Sequence, residues 1–229
     1  MTPIMKCAAG VLATLSFLLT TGGPAYSGGK AGVYGIYMEP RSSDSKDFSD
    51  PGWGVGLHVV APLKQVHDLL AGVAGLEFVN LMSETHTFYD PYIAAQVDQT
   101  TSQDYYRLYV GPSIGPHGSG FLRPYAGTNI ALVVYNINTH AEIADPDQPY
   151  SNTVSSRTEA AFGWDVNGGV DLNIKNRFPV DIGVRYLKSF NVPQQLGTNA
   201  VTVYPKYFQF YIGIGLSFGE IGKESENEP

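Results

Sequence analysis

From Phe208 to Phe218 the chain alternates strictly. Phe208, Phe210, Ile212, Ile214, Leu216 and Phe218 take one set of positions, and Gln209, Tyr211, Gly213, Gly215 and Ser217 take the other. Side chains leave a β-strand on opposite faces at every second residue, so this segment has one apolar face and one face of glycine and polar groups. The period recurs upstream. Trp53, Val55, Leu57, Val59 and Ala61 alternate with Gly54, Gly56 and His58 within Gly52 to Ala61. Leu76 and Phe78 stand against Gly75 and Glu77 within Leu70 to Met82. Tyr106, Leu108, Val110 and Ile114 stand against Tyr105, Arg107, Tyr109, Gly111 and Ser113 within Asp104 to Ile114. Ala126, Thr128, Ile130 and Leu132 oppose Tyr125, Gly127 and Asn129 within Leu122 to Tyr135.

The run from Phe162 to Ile174 is the most regular. Phe162, Trp164, Val166, Val170, Leu172 and Ile174 alternate with Gly163, Asp165, Asn167, Gly169, Asp171 and Asn173. Phe178, Val180, Ile182, Val184 and Tyr186 alternate with Asp181, Gly183 and Arg185. A weaker run, Gly32 to Glu39, sets Tyr34, Ile36 and Met38 as its apolar row against Val33, Gly35 and Tyr37. Eight strands are predicted, and their connections alternate in length. Pro40 to Pro51, Ser83 to Gln103, Asn136 to Ala160 and Ser189 to Pro205 are long and polar. Pro62 to Asp68, Pro116 to Gly120 and Lys175 to Arg177 are short. Long loops at one end and short turns at the other are the rhythm of an up-and-down transmembrane barrel.

Alternation alone fits a soluble ligand-binding barrel as well, with its apolar face turned inward. The second face discriminates. A water-facing surface carries roughly 25–35% charged residues, whereas here it holds glycine, tyrosine, asparagine and a few opposite charges. The apolar face ends in aromatics (Trp53, Phe162, Trp164, Phe178, Tyr186, Phe208, Phe218), which favour the headgroup level of a bilayer. The reading is all-β: a single antiparallel up-and-down transmembrane barrel of about eight strands, apolar side outward.

Composition agrees. Charged residues are 15% of the chain, against roughly 25% in soluble domains, and there are 26 glycines and 15 tyrosines. The net charge of −7 excludes the basic footprint of a nucleic-acid-binding protein. At the N-terminus, Lys6 precedes the apolar run Ala8 to Leu19, and small residues Ala25 and Ser27 follow. This is the layout of a cleaved signal peptide, expected over residues 1–27. Cys7 would leave with it, so the mature chain is expected to lack thiol and disulfide chemistry. Residues 28–218 are then the barrel domain, and residues 219–229 an acidic tail expected to be disordered.

The stretch from about Ala31 to Phe218 resembles the small eight-stranded outer-membrane proteins of Gram-negative bacteria, the OmpA-barrel, OmpX, OmpW and opacity-protein group. The closing strand carries the resemblance most specifically. Gly213, Leu216 and Phe218 fall where that group has a C-terminal assembly signal, although here Gly219 to Pro229 follow the phenylalanine. The resemblance implies outer-membrane location, embedding in outer-membrane lipid, and recognition by the barrel-assembly machinery during biogenesis. It also implies a structural or surface-interacting role, in which the long loops are candidates for a surface ligand. A narrow channel for small or apolar solutes is the alternative the group also contains.

The interior is expected to hold Glu77, Arg107, Asp165, Asp171, Asp181 and Arg185. Charges withdrawn from water need partners, and two arginines among carboxylates can fork onto them. The reading is a structural polar network that plugs the lumen; a gated polar path is the competing use of the same residues. Catalysis finds little support. His140, Glu142 and Ser151 in one loop, and Ser83, Glu84 and His86 in another, are loose sets that match no hydrolase signature, so a lipid-modifying enzyme is the third reading. His86 and His140 with Asp145 and Asp147 match no metal-site spacing. Neither metal nor cofactor is expected, and no ligand-binding residues are assigned.

Overall fold

The computed structural model describes residues 29–46, 49–63, 66–67, 69–91, 95–116, 120–143, 150–174, 178–196 and 199–218. The expected signal peptide and acidic tail lie outside them. The strands are β1 (Gly29–Pro40), β2 (Gly52–Pro62), β3 (Leu70–Asp90), β4 (Ala95–Ile114), β5 (Leu122–Ile143), β6 (Tyr150–Ile174), β7 (Phe178–Phe190), β8 (Val192–Leu196), β9 (Asn199–Val203) and β10 (Lys206–Phe218), with one helical turn, α1 (Ser43–Lys46). Eight of the strands close into an antiparallel barrel in the order β1-β10-β7-β6-β5-β4-β3-β2; β8 and β9 pair separately. First and last strands meet from Gly29↔Phe218 to Pro40↔Tyr207, which leaves the membrane-facing cylinder without an open edge.

The two faces of this cylinder differ as the alternation requires. Val55, Leu57, Val110, Ile130, Val166, Ile182, Ile212, Ile214 and Leu216 point outward and are exposed. Glu77, Arg107, Asp165 and Arg185 point inward and are at most 4% exposed. A continuous belt of exposed large apolar side chains is unstable in water and stable in hydrocarbon. The inward-pocket alternative, with its apolar face around a ligand, is therefore excluded.

Two expectations need correction. In β1 the apolar-looking row is the inner one. Tyr34, Ile36 and Met38 are buried in the barrel, while Val33 and Gly35 are exposed outside. Pairing imposes this: Val33 lies opposite Leu57 and Gly35 opposite Val55, and cross-strand partners share a face. The second correction concerns the long loops. Ser83 to Gln103 and Asn136 to Ala160 are mostly strand, since β3, β4, β5 and β6 continue far past the barrel wall. Pairing of β3 with β2 ends at Asn80↔Trp53, and pairing of β6 with β7 ends at Phe162↔Phe190. A four-stranded sheet thus stands clear of the loop end. It is knit by side chains, with Thr85 and Thr100 hydroxyls 2.9 Å apart, Ser156 donating to Asn138 at 2.7 Å, and Thr158 to Asn136 at 3.2 Å. Polar residues dominate both faces there, apart from a row near the tip where Phe88, Val97 and Ile143 are cross-strand partners, so no apolar alternation marks these strands.

Candidate functional site

The lumen is packed in three layers. At mid-height Glu77 on β3, Arg107 on β4, Asp165 on β6 and Arg185 on β7 form a neutral quartet. Arg107 Nη1 donates to Glu77 Oε2 at 2.9 Å, and its Nη2 donates to Asp165 Oδ2. Arg185 Nη1 donates to Glu77 Oε1, and Arg185 Nε lies 3.5 Å from Asp165 Oδ1. Neutral donors fill the remaining lone pairs. The Tyr34 hydroxyl and Gln209 Nε2 donate to Glu77 Oε1 at 2.7 and 3.2 Å. Asn129 and Asn167 donate to Asp165 Oδ1 at 2.8 and 2.9 Å. Both guanidinium groups also face the Tyr109 ring, at 4.4 and 4.7 Å. Removal of these charges from water is offset by these partners, while the buried Arg185 Nε makes no hydrogen bond of its own.

Toward the turn end lies a second cluster. Lys30 Nζ bridges Asp171 and Asp181 at 2.7 and 3.1 Å. Arg123 reaches Asp171 at 3.0 Å. Tyr125 donates to Asp181 at 2.5 Å and its hydroxyl lies 2.7 Å from that of Tyr211. His58 stacks on Tyr34 at 5.2 Å between the two clusters.

Toward the loop end the lumen turns aromatic and apolar. Tyr105 contacts Tyr135 and Tyr207 at centroid distances of 5.4 and 6.0 Å. Ile36, Met38, Leu81, Val133 and Leu187 pack with them. Ser49 caps the Tyr207 hydroxyl at 3.1 Å, and Ser189 caps that of Tyr135 at 2.9 Å. Val192 and Val203, from the β8–β9 hairpin, are buried on the same cluster.

Inward glycines make room for these rings. A Cβ on Gly56 would collide with the ring of Tyr34, on Gly75 with Tyr109, and on Gly183 with Tyr211. Eight strands enclose a space of a size that side chains can fill, and here large tyrosines set against glycines lie within it.

Of the six residues expected in the lumen, the structure brings Glu77, Arg107, Asp165 and Arg185 together and sets Asp171 and Asp181 in the separate turn-end cluster. Lys30 and Arg123 belong to the turn-end cluster and were not anticipated there, whereas Gln209, on the polar row of the closing strand, joins the quartet. Arg123 has the same parity as Tyr125, Gly127 and Asn129, so strict counting along β5 finds it. Lys30 precedes the recognisable start of β1, and the inner row of that strand carries no polar signature. On the closing strand, Leu216 and Phe218 face outward, and Gly213 lies against the backbone and Cβ of Tyr34.

The candidate catalytic residues do not assemble. His140 Nδ1 lies 3.2 Å from the Thr153 hydroxyl, and Ser151 lies 3.4 Å from Glu142, as two separate exposed cross-strand pairs. His86 meets Glu84 at 3.2 Å in an exposed pair. Asp145 and Asp147 lie outside the described residues.

The chain closes an eight-stranded barrel with an apolar exterior, a charged interior and unequal ends. This is the fold of the small outer-membrane barrels. Neisserial surface protein A matches with a TM-score of 0.54 at 13% identity, over 83% of this chain and 97% of that one. A major outer membrane protein of Thermus thermophilus matches with a TM-score of 0.50 at 12% identity, over 84% of this chain and 100% of that one. No family model matches the chain, and no curated protein matches it in sequence. At such identities the likeness is one of fold, which alternation and closure can specify with few shared residues.

Proposed function

We propose that this protein is an exported outer-membrane barrel with a lumen plugged by side chains and a structural or surface-interacting role exercised through its loop end. One observation carries the plug: Arg185 and Glu77 join across the interior from opposite walls. The tyrosine layer above them and the Lys30–Asp171–Asp181 cluster below close the same passage at two further heights. Short turns and both ends of the barrel chain face the periplasm in this reading, and the long strands face outward. The surface role is supported by the four-stranded projection. Its outer strands, β3 and β6, have no barrel neighbour there, and Phe88 and Tyr89 are exposed near its tip. Exposed aromatics of this kind can anchor a partner. The outward Leu216 and Phe218, with Gly213, are assigned to recognition by the assembly machinery, and the first 27 residues to export.

Reconstitution in planar bilayers tests the plug. The refolded chain is expected to give no discrete conductance steps. Reproducible steps in a chain shown to be folded would overturn the plug and favour the narrow-channel alternative.

A further inference from the structure

Lys188 on β7 and Lys206 on β10 are direct cross-strand partners. Both lie on the outer face, one step toward the loop end from Tyr186 and Phe208, which are themselves partners. Like charges placed directly opposite in a sheet repel. Among the described residues no carboxylate comes within ion-pair distance of either ammonium. The nearby Arg41 is already held by Glu39 at 3.0 Å, so that pair is neutral and the two lysines remain uncompensated. The Lys188 ammonium lies 5.3 Å from the Phe190 ring centroid, and Trp164 is its cross-strand neighbour on β6. The repulsive pair therefore sits in an aromatic girdle, at the height where a bilayer presents its headgroups.

Below it, toward the middle of the hydrocarbon, the outer wall is notched. Val33, Gly35, Val55, Val180, Ile212 and Ile214 line a shallow groove of about 340 Å³. Gly35 leaves the gap: a Cβ there would meet nothing nearer than the Ile212 carbonyl oxygen at 3.9 Å, so packing does not require glycine. Lys206 and Ile212 are six positions apart on β10, about 20 Å along the strand at roughly 3.3 Å per residue. With a tilt of about 40° that is about 15 Å of depth, half of a hydrocarbon core of about 30 Å. This is the reach of an acyl chain suspended from a headgroup at the lysines.

We propose that Lys188 and Lys206 clamp the phosphate of an acylated, phosphorylated lipid of the outer leaflet, with an acyl chain lying in the groove at Gly35. An anion between the ammonium groups converts their repulsion into two charge-assisted contacts. The proposal rests on the orientation in which the loop end faces the outer leaflet.

The test is native mass spectrometry of the full-length mature chain in detergent micelles. A bisphosphorylated, multiply acylated glucosamine lipid, its dephosphorylated counterpart and inorganic phosphate are each titrated. The phosphorylated lipid is expected to bind, and the joint substitution Lys188→Gln and Lys206→Gln to weaken it by about tenfold or more, as loss of charged hydrogen bonds implies. The joint Lys188→Arg and Lys206→Arg variant is expected to bind like wild type. Both side chains point away from the core, and each variant is checked for heat-modifiable gel migration. A loss smaller than tenfold, equal binding of the dephosphorylated lipid, or displacement by inorganic phosphate overturns the proposal while the barrel reading stands. A wild-type chain that does not fold in micelles contradicts the barrel reading itself.

Discussion

Arg185 on β7 and Glu77 on β3 form an ion pair across the full width of the barrel. Their strands are four steps apart whichever way the ring is followed, so the contact spans the lumen rather than running along the wall. Glu77 also holds Arg107 at 2.9 Å. One carboxylate thus compensates two guanidinium groups, and Asp165 completes the balance.

Replacement of Glu77 by alanine strands both arginines in a closed interior. A loss of about 3–5 kcal/mol is expected, as for other buried pairs deprived of one partner. Urea titration of the folded, fast-migrating gel band measures it. Glu84→Ala, at an exposed site of the projecting sheet, should change stability by less than about 0.5 kcal/mol.

The glycine–tyrosine fit makes a prediction of opposite sign from intrinsic propensity. Alanine normally stabilises a strand relative to glycine. At Gly183 the added methyl would enter the Tyr211 ring, so Gly183→Ala should destabilise by about 1–3 kcal/mol. In a Tyr211→Leu background the ring is gone and the penalty should shrink to below about 1 kcal/mol. A double-mutant cycle on the same urea assay reads the coupling.

The projecting sheet is tested by hydrogen exchange in micelles. Backbone amides paired along Ser83 to Asp90 and Ala95 to Gln103 are expected to be protected well beyond the time of intrinsic exchange. Exchange at the rate of an open chain across both segments would mean that they are loops.

That sheet also shows where the sequence was readable. Strands with one face in lipid announce themselves, as Phe162 to Ile174 and Phe208 to Phe218 do, because hydrocarbon demands apolar residues at every second position. Thr85, Thr87, Asp98 and Thr100 pair across strands with both faces wet, and nothing in their order distinguishes strand from loop. In β1 the period was visible but its sense was not. Tyr34, Ile36 and Met38 are as apolar as any lipid-facing row, and the pairing of Val33 with Leu57 and of Gly35 with Val55 decides which side is in. The charges of the lumen could be named from parity, but their division into a quartet and a turn-end cluster depends on strand stagger, which no single strand records.

The outward placement of the apolar residues is the claim on which the rest stands, and fractionation of expressing cells with gel migration before and after boiling tests it most directly. The mature chain is expected in the membrane pellet after a urea wash, soluble only with detergent, and faster on the gel unboiled than boiled. A chain that stays in the aqueous fraction without detergent, and migrates alike in both samples, would contradict it.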